Sequence, residues 1–389
     1  MELKGVLMLS DSFFPVNGGR EVVIDNLMRC YNGKVNALLG APVFKKHKAF
    51  NDSSLPYKVV RCNSISFTKN EVLSRPNKAF KKQIEQEIKD GNIQLIHVQT
   101  KYGLMKYAMR LRKKYNIPVV ASVHTNYPLV YKKTLKCPLV CKLALGRISK
   151  ILNKVDMVVT VSKFMKKQLV LMGVKNKIQI ISNGNKFANS RVDYGQIQYF
   201  YNKYNININN DNVLIYVGRM SQEKSVDVIL KSLQYVKNPL KMVFIGGGNE
   251  KLYSCLAKEY NVAEKCQFLG QIDNMEEQAA LCAGARLQVF PSVVESFGLT
   301  IAECGALGTP SVVTAGMATA EFVNDRENGF LIDGSAEDLA KKIDEVLGDS
   351  ELLNMVSENA KKTFNLSWDE VADEYINAYN EVLNKFSKK

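Results

Sequence analysis

Acidic side chains are scarce in the first half of this 389-residue chain: residues 1–189 hold 10 Asp/Glu against 34 Lys/Arg, a net of +24. Between Asp90 and Asp156 there is no carboxylate, while 13 basic side chains occur. A field of that sign predicts an anionic partner: a phosphorylated substrate, an anionic lipid or a nucleic acid. No apolar run reaches the roughly 18 residues that cross a bilayer. The start, MELKGVLMLS, lacks the basic and then apolar order of a secretory signal, so the sequence reads as a cytosolic protein. The eight cysteines include no CxxC pair. Cys137 and Cys141 are four apart with no accompanying His, which argues against zinc and predicts reduced, mostly buried thiols. No Asp-x-Asp pair is available to hold a divalent metal.

With 46% hydrophobic and 23% charged residues, the chain is neither disordered nor fibrous. Its length exceeds what one core usually serves and predicts two domains. The remaining residues carry 19 Lys/Arg and 28 Asp/Glu, a net of −9, so the halves are expected to do different jobs.

Short Val/Ile/Leu-rich runs alternate with longer helical segments, the pattern of parallel sheets built from strand-helix-strand units. Strands are expected at 3–10, 34–39, 57–62, 93–99, 118–124, 155–161 and 177–182. A second series follows at 213–218, 241–245, 265–269, 285–290, 311–314 and 329–332. The polar, Asn-rich stretch 183–212 between them reads as the interdomain linker. Residues 367–386 form an amphipathic helix with Ser367 as N-cap and Trp368, Val371, Tyr375, Ile376, Tyr379, Val382 and Phe386 on one face. The division is therefore 1–185, 186–365 and a terminal helix, 366–389. Two doubly wound domains place their crevices at the carboxyl ends of the strands, and facing each other they would form a cleft.

The strongest local signal is PSVVESFGLTIAE, residues 291–303. A strand ends in a Pro/Ser turn and a helix begins near Gly298, so the backbone N–H groups of Phe297, Gly298 and Leu299 are expected to point out as an anion site. Glu295 precedes that helix and Glu303 lies inside it, where an unpaired carboxylate would be costly. Both also have a bland reading as helix-start acids.

Glu295-x7-Glu303 in this setting resembles the signature of family 4 of the retaining glycosyltransferases. Three further segments match in order: VGRMSQEK at 217–224, FIGGGNE at 244–250 and FLG at 268–270. In the first half the likeness rests on Asn17-Gly18-Gly19, Val123-His124-Thr125, 159–162 and 181–184. The resemblance implies the GT-B fold, an α/β arrangement of two facing Rossmann-like domains with a C-terminal helix crossing back to the first. It implies a nucleotide diphosphate sugar as donor substrate, with no further cofactor. Arg219 and Lys224 would neutralise the departing diphosphate together with the helix start at Phe297 to Thr300, so that no metal is required. Glu303 would hold the ribose, Glu295 the transferred sugar, and His124 would stand beside the anomeric carbon. Gly18, Gly19 and Gly246 would admit the donor closely, with tight strand-helix turns as the alternative for the first two. His97 shares the strand-end address without a motif and reads as a core or acceptor-side residue.

Two departures bear on the donor sugar: 316–321 stands where the family has GG-x-PE, and 183–186 where it has NG-V-D. The acceptor is expected on the basic half. Residues 131–154 read as a basic amphipathic helix, with Lys132, Lys133, Lys136, Lys142, Arg147, Lys150 and Lys154 among Leu and Ile. It either lies on an anionic membrane or packs its stripe on its own domain. Arg110, Arg112, Lys113 and Lys114 would extend the positive surface.

The resulting expectation is a retaining hexosyltransferase that uses a nucleotide diphosphate sugar, a UDP-sugar, faces the membrane from the cytosol and glycosylates a lipid or a lipid-linked glycan of the cell envelope. Alternatives are a soluble acceptor, a phosphorylase or an idle sugar-nucleotide sensor. A nucleic-acid partner would explain the charge but not Glu295, Glu303, Arg219 and Lys224 together, and no nucleic-acid motif is present.

Overall fold

The computed structural model describes residues 2–99, 103–135, 137–208 and 212–388. They fold as two compact units: the chain up to Asn183 together with the segment from Trp368 onward, and Gly184–Ser367. Lys136 of the basic stretch, and residues 209–211 of the Asn-rich stretch, lie outside the described residues.

The first unit is built on β1 (Gly5–Leu9), β2 (Asn36–Pro42), β3 (Lys58–Ser66), β4 (Val72–Arg75), β5 (Leu95–Val98), β6 (Val119–Val123), β7 (Met157–Thr160) and β8 (Ile178–Ile180). Their order is β4-β3-β2-β1-β5-β6-β7-β8. All pairs are parallel except β3 with β4. The central strands β1, β5, β6 and β7 are buried along their whole length, as continuous apolar runs in a helix-covered parallel sheet should be. Strand β4 is the one the apolar pattern does not announce. It is short, lies at the edge and buries only Val72 and Ser74.

The second unit carries β9 (Val213–Val217), β10 (Lys241–Ile245), β11 (Cys266–Gly270), β12 (Leu287–Phe290), β13 (Ser311–Thr314) and β14 (Phe330–Ile332). The order is β11-β10-β9-β12-β13-β14, all parallel. In both sheets the strand order reverses beside the first strand, between β1 and β5 and between β9 and β12. Outside the carboxyl ends of such strands a doubly wound sheet leaves its crevice.

The stretch expected to be a linker is not one. Asp193 and Gln196 form a reciprocal capping box that starts a helix, Tyr194–Lys203. Tyr201 from that helix is fully buried and donates its hydroxyl to the Leu281 carbonyl at 2.6 Å. Few but well-spaced apolar side chains in an Asn-rich segment sufficed to dock it on the second unit.

The terminal helix, Trp368–Phe386, belongs to the first unit and packs on the helix Gly19–Tyr31. It buries Trp368, Val371, Tyr375, Tyr379 and Val382, while Ile376 and Phe386 are only half-buried. Each of the fully buried side chains contributes about 1.5–3 kcal/mol. Lys34 adds an exposed ion pair to Asp373 at 2.6 Å, worth at most about 1 kcal/mol. All eight cysteines are free. Only Cys62, Cys282 and Cys304 are buried, while Cys137, at the N-cap of the helix Pro138–Leu152, and Cys255, in the helix Glu250–Glu259, are exposed. Among the described residues no helix is long and apolar enough to cross a membrane, and no cluster of metal-ligating side chains is gathered.

Candidate functional site

At the switch point of the second sheet, Gly218 and Arg219 follow β9, and the segment from Pro291 to Gly298 follows β12. Gly218 and Gly246 end neighbouring strands, and the backbone there is closely zipped. Gly218 N–H donates to Ile245 O at 2.9 Å, and Met220 N–H to Gly247 O at 2.8 Å. A Cβ on Gly246, whose φ is +135°, would fall 2.0 Å from Gly218 O. Strand-end packing therefore requires this glycine irrespective of any ligand.

Arg219 is exposed, and among the described residues no carboxylate pairs with it. Lys224 lies just ahead of the next helix. It ends a single 3-10 turn, Gln222–Lys224, and Ser225 in the left-handed region (φ +54°) separates it from the helix Val226–Ser232. That turn carries its ammonium to Glu295, with which it forms a largely buried ion pair, and to within 3.4 Å of Val294 O. An ammonium has three donors. Two of them are engaged, by Glu295 and Val294 O.

The helix after β12 is Leu299–Ala306, with Gly298 as N-cap in the left-handed region at φ +88° and no side chain capping it. Because Ile301 N–H already donates to Gly298 O at 3.0 Å, the groups left at the helix mouth are the N–H of Gly298, Leu299 and Thr300. The Phe297 ring packs on Phe322, with centroids 4.7 Å apart. No acidic side chain occupies the helix's first turn, which leaves its positive end uncompensated. Two hydroxyls here, Thr300 Oγ1 and Thr319 Oγ1, are buried without a partner among the described residues. Thr319 lies against Gly298, where a Cβ would come within 3.0 Å of its methyl.

Glu303 is buried, 8% exposed, and is not unpaired: Lys186 Nζ stands 3.6 Å from its Oε2 and donates to Gln278 Oε1 at 2.7 Å. Burial raises the carboxyl above its ordinary range, and the Lys186 charge opposes that rise. Lys186 occupies the position where the resembling family has an acid. The sequence contained that departure, but only the fold discloses its partner.

In the first unit, Gly18 is the extended N-cap of the helix Gly19–Tyr31. A Cβ there would fall 2.8 Å from Glu21 Oε2, so the glycine makes room for a buried carboxylate that pairs with Arg20 at 3.1 Å. Gly19 is the first helical residue and is exposed. His124 follows β6, is partly buried, and has Nε2 2.7 Å from Gln99 Oε1. Desolvation and the Arg20 charge push it down to about 4, so the ring is neutral at pH 7. Asn126 in the motif after it caps the next helix by accepting from Leu129 N–H at 3.3 Å. His97 is fully buried against Tyr375 and Tyr379 of the terminal helix, which settles it as a core residue.

The basic stretch is two helices rather than one, Tyr127–Thr134 and Pro138–Leu152, with Pro138 pre-set for a helix's first turn. The second helix divides along its length. Ile148 and Leu152 are buried, whereas Leu139, Val140 and Leu143 are exposed at 65%, 47% and 59% beside exposed Lys142. Of the upstream cations, Arg112 pairs with Asp156 at 2.8 Å and Lys114 with Glu85 at 2.6 Å, so they add less to the positive surface than their count suggests.

Comparison with known proteins follows the same division. The model for "Glycosyltransferase Family 4" matches residues 17–185 and that for "Glycosyl transferases group 1" residues 202–363. An uncharacterized glycosyltransferase, MJ1607 of Methanocaldococcus jannaschii, is 27% identical over 59% of this chain and 61% of its own length. The alpha-monoglucosyldiacylglycerol synthase of Acholeplasma laidlawii is 23% identical over 97% of this chain and 99% of its own. The crystal structure of Anabaena Alr3699/HepE in complex with UDP superposes with a TM-score of 0.80 at 18% identity, covering 98% of this chain and all of that one. The chain belongs to the family 4 glycosyltransferases of the GT-B type.

Proposed function

We propose that the chain is a retaining, metal-independent hexosyltransferase that takes its sugar from a UDP-sugar and gives it to a lipid or lipid-linked cell-envelope glycan at an anionic membrane surface. The observation that carries the donor half is the cationic edge at the second switch point. The Lys224 ammonium, the exposed Arg219 fork and the uncapped N–H groups of Gly298, Leu299 and Thr300 converge on one kind of ligand, a diphosphate. UDP in HepE, a protein of the same fold, supports the nucleotide. Lys186 opposes the rise that burial imposes on the Glu303 carboxyl, and that carboxyl is the group placed to meet the ribose hydroxyls.

In the transfer, the bond between the anomeric carbon and the phosphate oxygen breaks and its electron pair stays on the phosphate. Arg219, Lys224 and the helix mouth neutralise that developing charge, the task otherwise given to a metal ion. The acceptor oxygen attacks on the face the phosphate leaves, and its proton passes to the departing phosphate. Glu295, already held by Lys224, orients the sugar hydroxyls, and His124 faces the sugar as a neutral ring. Positioning and charge neutralisation carry the rate, and no carboxylate nucleophile is needed.

The acceptor half rests on the exposed Leu139, Val140 and Leu143 among cations, the composition of a helix that lies in an interface. The Acholeplasma relative, named for a glucosylated diacylglycerol, supports a lipid. The test is a panel of UDP-sugars and GDP-mannose with diacylglycerol and polyprenyl-phosphate-linked acceptors in anionic vesicles, with EDTA present. A sugar-linked lipid formed from one donor, with the donor's anomeric configuration kept, is the expected product. Transfer to soluble sugars alone would remove the membrane half, and no transfer or hydrolysis of any donor would remove the whole.

A further inference from the structure

A line of buried polar groups stands behind His124 that neither the sheet packing nor the proposed transfer accounts for. Gln99 is the first residue after β5, at the switch point of the first sheet, and is 2% exposed. Its Oε1 lies 2.7 Å from His124 Nε2, and its Nε2 lies 3.3 Å from His97 Nε2 and 3.9 Å from Met8 Sδ. His97 Nε2 is also 2.7 Å from Ser122 Oγ, and its Nδ1 is 2.6 Å from Tyr379 Oη. Tyr379 Oη in turn meets Tyr31 Oη at 2.9 Å. All of these residues except His124 are fully buried.

The proton positions follow from the one group that cannot choose. An amide nitrogen only donates and an amide oxygen only accepts. A thioether can only accept, so the amide end facing Met8 is the nitrogen. His97 Nε2 must then be bare, receiving the amide and the Ser122 hydroxyl, and its proton sits on Nδ1, donated to Tyr379. His124 Nε2, facing the amide oxygen, must carry its proton. Burial holds His97 near 3 and His124 near 4, so neither ring gains a second proton at neutral pH. A neutral ring protonated on Nε2 presents a bare Nδ1.

We propose that Gln99, backed by His97 and Tyr379, is a positioning residue that fixes His124 as the Nε2–H tautomer, so that Nδ1 meets the donor as an acceptor for a sugar hydroxyl. The substrate half of this statement rests on the proposed transfer, and the tautomer half does not. The terminal helix gains a role beyond packing, because Tyr379 anchors the far end of the line.

The chain has only three histidines, and His47 stands outside the line as a reference. In 15N-histidine-labelled protein, ring-nitrogen shifts should report His124 as Nε2–H and His97 as Nδ1–H, both neutral down to about pH 5. Gln99→Leu, close in volume, should put His124 into exchange between tautomers and lower kcat about tenfold with little change in donor KM. Gln99→Glu, which keeps an acceptor opposite Nε2, should restore the Nε2–H form. His124 in the Nδ1–H form in the unaltered chain overturns the proposal, and so does a Gln99→Leu variant with an unchanged His124 tautomer or unchanged turnover. A chain with these tautomers that uses no nucleotide sugar overturns the substrate half alone.

Discussion

At the switch point of the second sheet the functional side chains are charged and matched in pairs: Lys224 with Glu295, Lys186 with Glu303. At that of the first sheet they are neutral, with Gln99 linking His97 to His124 by hydrogen bonds. Net charge runs the other way, −9 on the half with the ionic site and +24 on the half with the neutral one. Bulk charge and site chemistry are therefore separate properties. Much of the +24 lies on outward helix faces such as Pro138–Leu152, and a strongly positive domain can still line its switch point with neutral side chains, its nearby Arg20 being paired with Glu21. An ionic site suits a diphosphate, whose charge it must balance, and a neutral one suits hydroxyls, which it must orient.

The comparison breaks first if the charged site proves dispensable. Arg219→Ala and Lys224→Ala should each lower kcat about 100- to 1000-fold, the first with melting temperature shifted by no more than about 2 °C and the second with a larger loss, because it leaves Glu295 without its partner. Steady-state kinetics beside thermal unfolding checks both at once. Removing Lys186 tests the second pair: Lys186→Met should let Glu303 protonate more readily and raise donor KM about tenfold at pH 7, the loss easing as pH rises. A KM that stays flat with pH would detach Glu303 from the donor.

The neutral site has its own signature in stability. The folded-state values of His97 and His124 lie near 3 and 4, below the ordinary 6.5, so below pH 6.5 the unfolded chain binds protons that the folded one does not. Stability should fall with decreasing pH by about 1.4 kcal/mol per unit for each ring, between about 6.5 and 4. Trp368, the single tryptophan, sits buried in the first unit and reports its urea unfolding directly. The smallest effect is expected at the surface helix: Lys142→Ala should weaken binding to anionic vesicles about fivefold at low salt, about 1 kcal/mol. Nucleotide binding should not change. A membrane affinity unmoved by this and by Leu143→Ser would leave the helix as packing alone.

The strands were legible because parallel strands buried on both faces are continuous apolar runs, and the donor motifs because their glycines and charges sit at strand ends. What escaped had no pattern to give. Strand β4 buries two side chains, and the helix Tyr194–Lys203 hides its anchors among asparagines. Lys224 with Glu295, and Lys186 with Glu303, are pairs 71 and 117 residues apart, which composition cannot join. Gln99 carries no motif at all; only the position of its two amide ends relative to His97 and His124 gives it meaning. The basic stretch misled by being read as one helix, although Pro138 inside it marks a new start.

The account stands most directly on a calorimetric titration of UDP, with EDTA present, into the unaltered chain, Lys224→Ala, Arg219→Ala and Lys142→Ala. Binding that survives EDTA and Lys142→Ala but weakens about tenfold or more in each of the other two is the predicted result, since a charged hydrogen bond contributes about 1.5–3 kcal/mol. UDP affinity that needs a divalent metal, or that is untouched by the loss of Lys224 and Arg219, would contradict it.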